Sequence, residues 1–268
     1  MRIALGQFGA SADKAANLER ILSMMREARA MGAELVLFPE GSMVSFEPLR
    51  SLAPDGEPLD GPFVDGLARA ARENGLTVVA GIFESVPGSE RVYNTIVALG
   101  ADGILLGCYR KIHLFDAFGH MESERIEPGS GDTLVFRQNG LSFGVQTCYD
   151  VRFPELSGRL AAEGADAILL PAAWVHGLLK ESQWEVLVRA RAIENTVYVA
   201  AADQVGAAYS GSSMLVDPMG VAVARGGETE QVIAGEIDPQ RVQAVRQKLP
   251  SRKHVRPDVY RRWALVAR

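Results

Sequence analysis

Cysteine and histidine are both scarce in this chain, with two of the first and four of the second among 268 residues. So few exclude a disulfide framework and argue against a zinc cage built from the two types. No apolar run approaches the length of a membrane span. The opening MRIALGQFGA lacks the longer apolar core and the small-residue cleavage site of a secretory leader, so Ile3 to Phe8 reads as a first strand. Lysine-arginine blocks are missing and the net charge is −5, which removes nucleic acid from the expected partners. Linkers, low-complexity tracts and short-period repeats are also absent, and the Pro/Gly-rich piece 54–62 reads as a surface loop. With 47% of residues hydrophobic there is enough to build a substantial core. The expectation is one domain, residues 1–268, in the cytoplasm with free thiols.

What is present is alternation. Strand-like Ile3–Phe8, Leu35–Phe38 and Thr77–Phe83 are separated by amphipathic helical stretches at Lys14–Met31 and Phe63–Asn74. Val92–Leu99 and Ile104–Tyr109 flank a hairpin turn at Gly100–Gly103, and Ser213–Val216 and Val221–Ala224 flank another at Asp217–Gly220. Leu141–Val145 reads as a buried strand. Ala167–Leu170 and Thr196–Ala202 bracket a helix from about Glu181 to Asn195. Val232–Ile237 leads into a last helix at Pro239–Lys248. Strands joined by helices and mixed with hairpins predict a layered α/β fold with mixed strand directions.

Three strand ends carry an isolated reactive side chain. Glu40 follows Leu35–Pro39, Lys111 follows Ile104–Arg110, and Cys148 follows Phe143–Thr147, just before a helix start at Phe153-Pro154. Ligands of open α/β sheets gather outside strand ends, so a carboxylate, an ammonium and a thiol could converge on one pocket. Their chemistry is coherent. A thiol with a pKa of roughly 8.5 is mostly protonated at neutral pH and needs a base. A carboxylate can supply that base, and an ammonium can hold an oxyanion. Each also has a plainer account: Cys148 as a small buried hydrophobe, Glu40 and Lys111 as solvated ends of elements.

The blocks around these residues form a pattern. Pro39-Glu40, YRKIHLFD (Tyr109 to Asp116), CYDVRFPEL (Cys148 to Leu156), LPAAW (Leu170 to Trp174) and RARAIENTVYVAAADQVG (Arg189 to Gly206) resemble, in order, the nitrilase superfamily of carbon–nitrogen hydrolases. Within it the chain is similar to the Nit-type amidases, which hydrolyse ω-amides of small carboxylic acids and deaminated glutathione. The resemblance implies a four-layer αββα sandwich. It implies Cys148 as nucleophile, Glu40 as general base and Lys111 as oxyanion-stabilising lysine. Glu122 matches the second glutamate, with Glu124 and Glu127 as neighbouring alternatives. It also implies the Tyr149 backbone N–H as a second oxyanion donor, no metal or organic cofactor, a small-molecule amide substrate, and a homodimer or higher homo-oligomer with 250–268 at the subunit contact. N-carbamoyl amidohydrolysis and nitrile hydrolysis are the alternatives on the same scaffold, and a non-catalytic binding protein is the alternative from another class.

Further residues stay open between two roles. Arg152 could bind a substrate carboxylate or pair with Asp150 or Glu155. Trp174 could line the pocket or sit in the core. His113 is expected to make a structural hydrogen bond, Cys108 to be buried and inert, and Arg191 to pair with Glu194 at i, i+3. The resemblance departs after Pro171: AAWVHGLLKESQW lacks the Thr-Gly pair of Nit-type amidases and is one residue longer.

Overall fold

The computed structural model describes residues 1–46 and 51–264. Its strands are β1 Arg2–Gln7, β2 Leu35–Leu37, β3 Thr77–Ser85, β4 Val92–Leu99, β5 Leu105–Arg110, β6 Ile126–Glu127, β7 Leu134–Gln138, β8 Leu141–Val145, β9 Ala167–Ala172, β10 Tyr198–Asp203, β11 Val205–Gly206, β12 Tyr209–Ser210, β13 Met214–Val216, β14 Ala222–Arg225 and β15 Gln231–Glu236. The α-helices are α1 Lys14–Ala30, α2 Pro62–Asn74, α3 Pro154–Ala162, α4 Lys180–Asn195, α5 Pro239–Lys248 and α6 Pro257–Ala264.

Two large sheets share one plan. The first runs β15-β1-β2-β3-β4-β5, with β6 added on β4, and the second runs β14-β13-β10-β9-β8-β7. Each has a parallel centre, β1-β2-β3 in one and β10-β9-β8 in the other, with antiparallel strands outside. The last strand, β15, pairs with the first, β1, from Arg2↔Glu236 to Gln7↔Gln231.

The period of two along each strand divides the core. Ile3 and Leu5 of β1, with Leu35 and Leu37 of β2, face the second sheet. Ala4 and Val36 between them face the opposite way, onto Ile21, Met25 and Ala28 of α1 and Phe63 and Leu67 of α2. The outer face of the second sheet is covered by Leu156 and Leu160 of α3 and Trp184, Val188 and Ala192 of α4. Helices therefore flank a two-sheet sandwich, the layered α/β arrangement the alternation predicts.

Helix ends follow local chemistry. The Asp13 side chain accepts from Ala15 and Ala16 N–H at the start of α1, Pro62 opens α2 and Pro154 opens α3, and Gly75 closes α2 in the left-handed region. Most boundaries lie within two residues of those read from sequence. Several features differ, the short strands β6, β11 and β12 and the helix α6 among them. β7 was not anticipated, although Asn139 and Gly140, both with positive φ, form the two-residue turn that joins it to β8. Between β8 and α3 the chain makes a 3-10 turn, Cys148–Arg152, before the predicted proline start.

Among the described residues no helix is long and apolar enough to cross a membrane.

Candidate active site

The C-terminal ends of the central parallel strands from both sheets open on one cavity. β2 runs into Pro39-Glu40, β8 into Thr147-Cys148, β9 into Ala173-Trp174, and β10 ends at Asp203. The antiparallel neighbour β5 delivers Lys111 one residue past its end. The cavity holds about 570 Å³ of empty space, mouth included, and Glu40, Lys111, Glu122 and Cys148 all line it. A space of that size suits a small molecule.

The polar groups at its floor are buried and mutually bonded. Lys111 Nζ donates to Glu40 Oε1 at 2.8 Å and to Glu122 Oε2 and Oε1 at 2.8 and 3.0 Å. Asn94, from β4, donates its amide to the same two carboxylates, at 2.7 Å to Glu40 Oε1 and 3.1 Å to Glu122 Oε1. The other Glu40 oxygen accepts the Ala173 N–H at 3.0 Å. Glu122 is further tied by the Phe115 N–H at 2.6 Å. It is Glu122, in a 3-10 turn, that meets Lys111; Glu124 is exposed and Glu127 pairs with Arg91. Burial alone would discharge Lys111, but Glu122 and Glu40 outweigh it and hold the ammonium well above the ordinary lysine range.

Cys148 sits at φ +46°, a backbone region that non-glycine residues seldom adopt. The surrounding bonds hold it there. Asp150, fully buried, accepts the Thr147 N–H at 3.0 Å, the Tyr109 hydroxyl at 2.6 Å and the His113 N–H at 3.2 Å, and contacts the His113 ring at 2.7 Å. One carboxylate thus locks the cysteine turn to the residues on either side of Lys111. Burial pushes the Cys148 thiol well above the usual cysteine range; Glu40 pushes the same way, and Lys111 opposes. The resting group is a thiol with a carboxylate beside it.

This is an arrangement for proton transfer from sulfur and for holding negative charge next to it. The family model described as carbon-nitrogen hydrolase matches residues 2–247. The chain belongs to the carbon–nitrogen hydrolase family. It is an enzyme of the nitrilase superfamily, on the Nit-type amidase branch. A deaminated glutathione amidase of Escherichia coli O157:H7 is 37% identical over 252 residues, 93% of this chain and 95% of that protein. An omega-amidase of Saccharomyces cerevisiae is 36% identical over 279 residues, covering 97% and 94%. Among solved structures, a Glu-to-Gln mutant of an amidase from Nesterenkonia sp. AN1, in which acrylamide has added to the active-site cysteine, superposes with a TM-score of 0.80. It is 28% identical, over 93% of this chain and 98% of that one.

The remaining expectations about this carbon–nitrogen hydrolase divide. Trp174 is both wall and core: it lines the cavity, is only 2% exposed, and packs on Trp184 at 5.3 Å between centroids. Tyr149 lines the cavity, packed edge-on against Phe115. Arg152 pairs with neither Asp150 nor Glu155. Its guanidinium lies 4.8 Å over the Trp174 ring and bonds Gln183 at 2.7 Å, outside the cavity lining, because Asp150 is already committed to Tyr109 and His113. His113 is structural as expected, and Arg191 pairs with Glu194 at 2.8 Å. Cys108 is half-buried rather than buried, being on β5 at the edge of its sheet.

Sequence reasoning missed Asn94, Asp150, Lys180 and Asp203. Asn94 was detectable as an amide inside the largely apolar Val92–Leu99. Lys180 lines the cavity, and burial pulls its ammonium below the ordinary lysine range, while the Cys148 charge acts in the other direction. Asp203 accepts the Trp174 N–H at 2.7 Å, and burial raises its carboxyl well above the usual range. Among the described residues no group of three or more His, Cys, Asp or Glu could hold a metal ion.

Proposed function

We propose that the enzyme hydrolyses the C–N bond of a short linear amide, an ω-amide of a carboxylic or keto acid or deaminated glutathione, through a thioester on Cys148. The observation that carries this reading is the Glu40 carboxylate, fixed by Lys111, Asn94 and the Ala173 N–H, beside a thiol kept protonated by burial.

Cys148 Sγ attacks the amide carbon as Glu40 takes its proton. The Lys111 ammonium and the Tyr149 backbone N–H receive the developing oxyanion; one such donor is worth about 2.7–4 kcal/mol of barrier. Glu122 holds Lys111 in place and keeps it charged. Glu40 then protonates the leaving nitrogen, the C–N bond breaks and ammonia departs. Glu40 next takes a proton from water, the hydroxide adds to the thioester carbon, the C–S bond breaks, and the proton returns to sulfur. No metal or organic cofactor enters the scheme. The reading takes residues 1–268 as one catalytic unit, cytoplasmic and homodimeric, with the segment 250–268 at the subunit contact; of that segment, 265–268 lie outside the described residues.

The test is ammonia release from ω-amides by the native chain and by Cys148→Ala. The variant should retain its circular dichroism and melting temperature and lose at least about 1,000-fold in rate. A Cys148→Ala enzyme that still releases ammonia at the native rate removes the thioester from the mechanism.

A further inference from the structure

The floor of the cavity and its wall carry opposite charge. At the floor, Glu40 and Glu122 bracket a single ammonium, Lys111, whose three hydrogen bonds all go to them. A substrate carboxylate would meet two anions there against one cation. The wall carries a second ammonium. Lys180, the first residue of α4, follows Leu179, whose positive φ turns the chain inward. Lys180 is 7% exposed and lines the same cavity as Cys148.

The surroundings of Lys180 are aromatic. Its Nζ lies 4.1 Å from the centroid of Trp174, 5.1 Å from Phe115 and 5.3 Å from Phe118. Among the described residues it makes no ion pair and its ammonium has no hydrogen-bond acceptor. Aromatic faces offset part of the cost of burying a cation, but they leave its N–H donors unused. The neighbouring cations are occupied. Arg152 lies over Trp174 and is bonded to Gln183; Arg125, also at the cavity, donates to the Phe46 carbonyl at 3.1 Å. Glu181, next along the chain, lines a different groove with His176 and Arg225.

We infer that Lys180 receives the remote carboxylate of the acid amide and is the residue that sets preference for an anionic over a neutral amide. The floor repels the anionic end and the wall attracts it, so the molecule enters with its amide toward Cys148. This assignment rests on the amidase reading, and it places on Lys180 the role the sequence suggested for Arg152. A carboxylate bonded to a desolvated ammonium discriminates by tens-fold against a neutral analogue.

The test compares succinamate, which has the carboxylate, with butyramide, which does not. In Lys180→Met the ratio of kcat/KM for succinamate over butyramide should fall about 30-fold, mainly through KM, and Lys180→Arg should restore part of it. A ratio that does not move, or equal losses on both amides, overturns the assignment in favour of a structural lysine. A binding arm separates this from the chemistry: succinamate titrated calorimetrically into Cys148→Ala, with and without Lys180→Met. Affinity should weaken at least tenfold when Lys180 is replaced. Absent binding, or binding indifferent to Lys180, overturns the subsite. Succinamate binding that depends on Lys180, in a native enzyme that hydrolyses neither amide, supports the subsite and overturns the amide reading.

Discussion

At the scale of single residues, the site is governed by what Lys111 is asked to neutralise. Two buried carboxylates share one ammonium, and Asn94 with the Ala173 and Phe115 N–H groups supplies further donors. Removing one partner of a buried ion pair strands its counter-charge and costs about 3–5 kcal/mol. Lys111→Met should lower the unfolding free energy by that amount, measured in urea, and abolish hydrolysis. Combining it with Glu122→Gln removes one stranded charge and should return about half of the stability but none of the activity. If activity returned with stability, Lys111 would be a structural residue only. Cys148 shows the complementary principle. Its strained φ is sustained by bonds that radiate from Asp150, which holds both the turn and the flanks of Lys111.

At the scale of elements, Glu40, Lys111 and Cys148 each stand just past the end of a strand. Glu40 stays beside the sheet because β3 passes directly beneath its turn. A Cβ on Gly81 would lie 2.6 Å from the Gly41 nitrogen and 2.8 Å from the Glu40 Cα. Backbone cannot yield as a flexible side chain does, so Gly81→Ala should displace Glu40. A shift of about 1 Å at a catalytic group costs on the order of 100-fold in rate. We expect kcat to fall by about that factor with the circular dichroism spectrum retained; a native kcat would show that the turn accommodates the methyl group.

The strand ends bearing Glu40, Lys111 and Cys148 were legible in the sequence because apolar runs stopped by Pro, Lys or a polar segment mark them. β7 was passed over because Leu134–Gln138 mixes buried and partly exposed positions and its Asn-Gly turn was not used. The convergence of the ends could not be read from spacing. The Ala173 N–H is a backbone donor with no side-chain signature, and the position of Lys180 depends on a left-handed Leu179 that no local rule favours. The contacts of Arg152 were not foreseen because its expected pairing partners were neighbours in sequence, whereas Gln183 and Trp174 reach it from across the fold.

At the scale of the whole molecule, the two sheets are joined through polar groups as well as through the core. Gln204 Nε2 donates to the Glu40 carbonyl at 2.8 Å and its Oε1 accepts the Ala10 N–H at 3.0 Å. Gln7 accepts the Ser213 N–H at 2.8 Å. Asp203 at this seam has a measurable consequence for the entire fold. Burial raises its folded pKa well above the unfolded value near 3.8, so the native state binds the proton more tightly than the unfolded chain. Its contribution to stability is therefore fully present below about pH 3.8 and is lost as pH rises toward the folded pKa. Asp203→Asn keeps an acceptor for the Trp174 N–H and removes this linkage. Between pH 5 and 8 the melting temperature of the native chain should fall relative to that of the variant, as read by calorimetry. Parallel curves would mean that Asp203 is ionised in the fold.

The pairing of β15 with β1 gives the molecule the form of a clasp. β1 lies at the open side of its sheet until residues 231–236 join it, and beside that pairing the Met1 amino group meets the Ile237 carbonyl at 3.0 Å. Glu40 and Lys111 thus come early in the chain, but the sheet that positions both is closed only by a strand nearly two hundred residues past Glu40. Neither half of the described residues can build that frame alone.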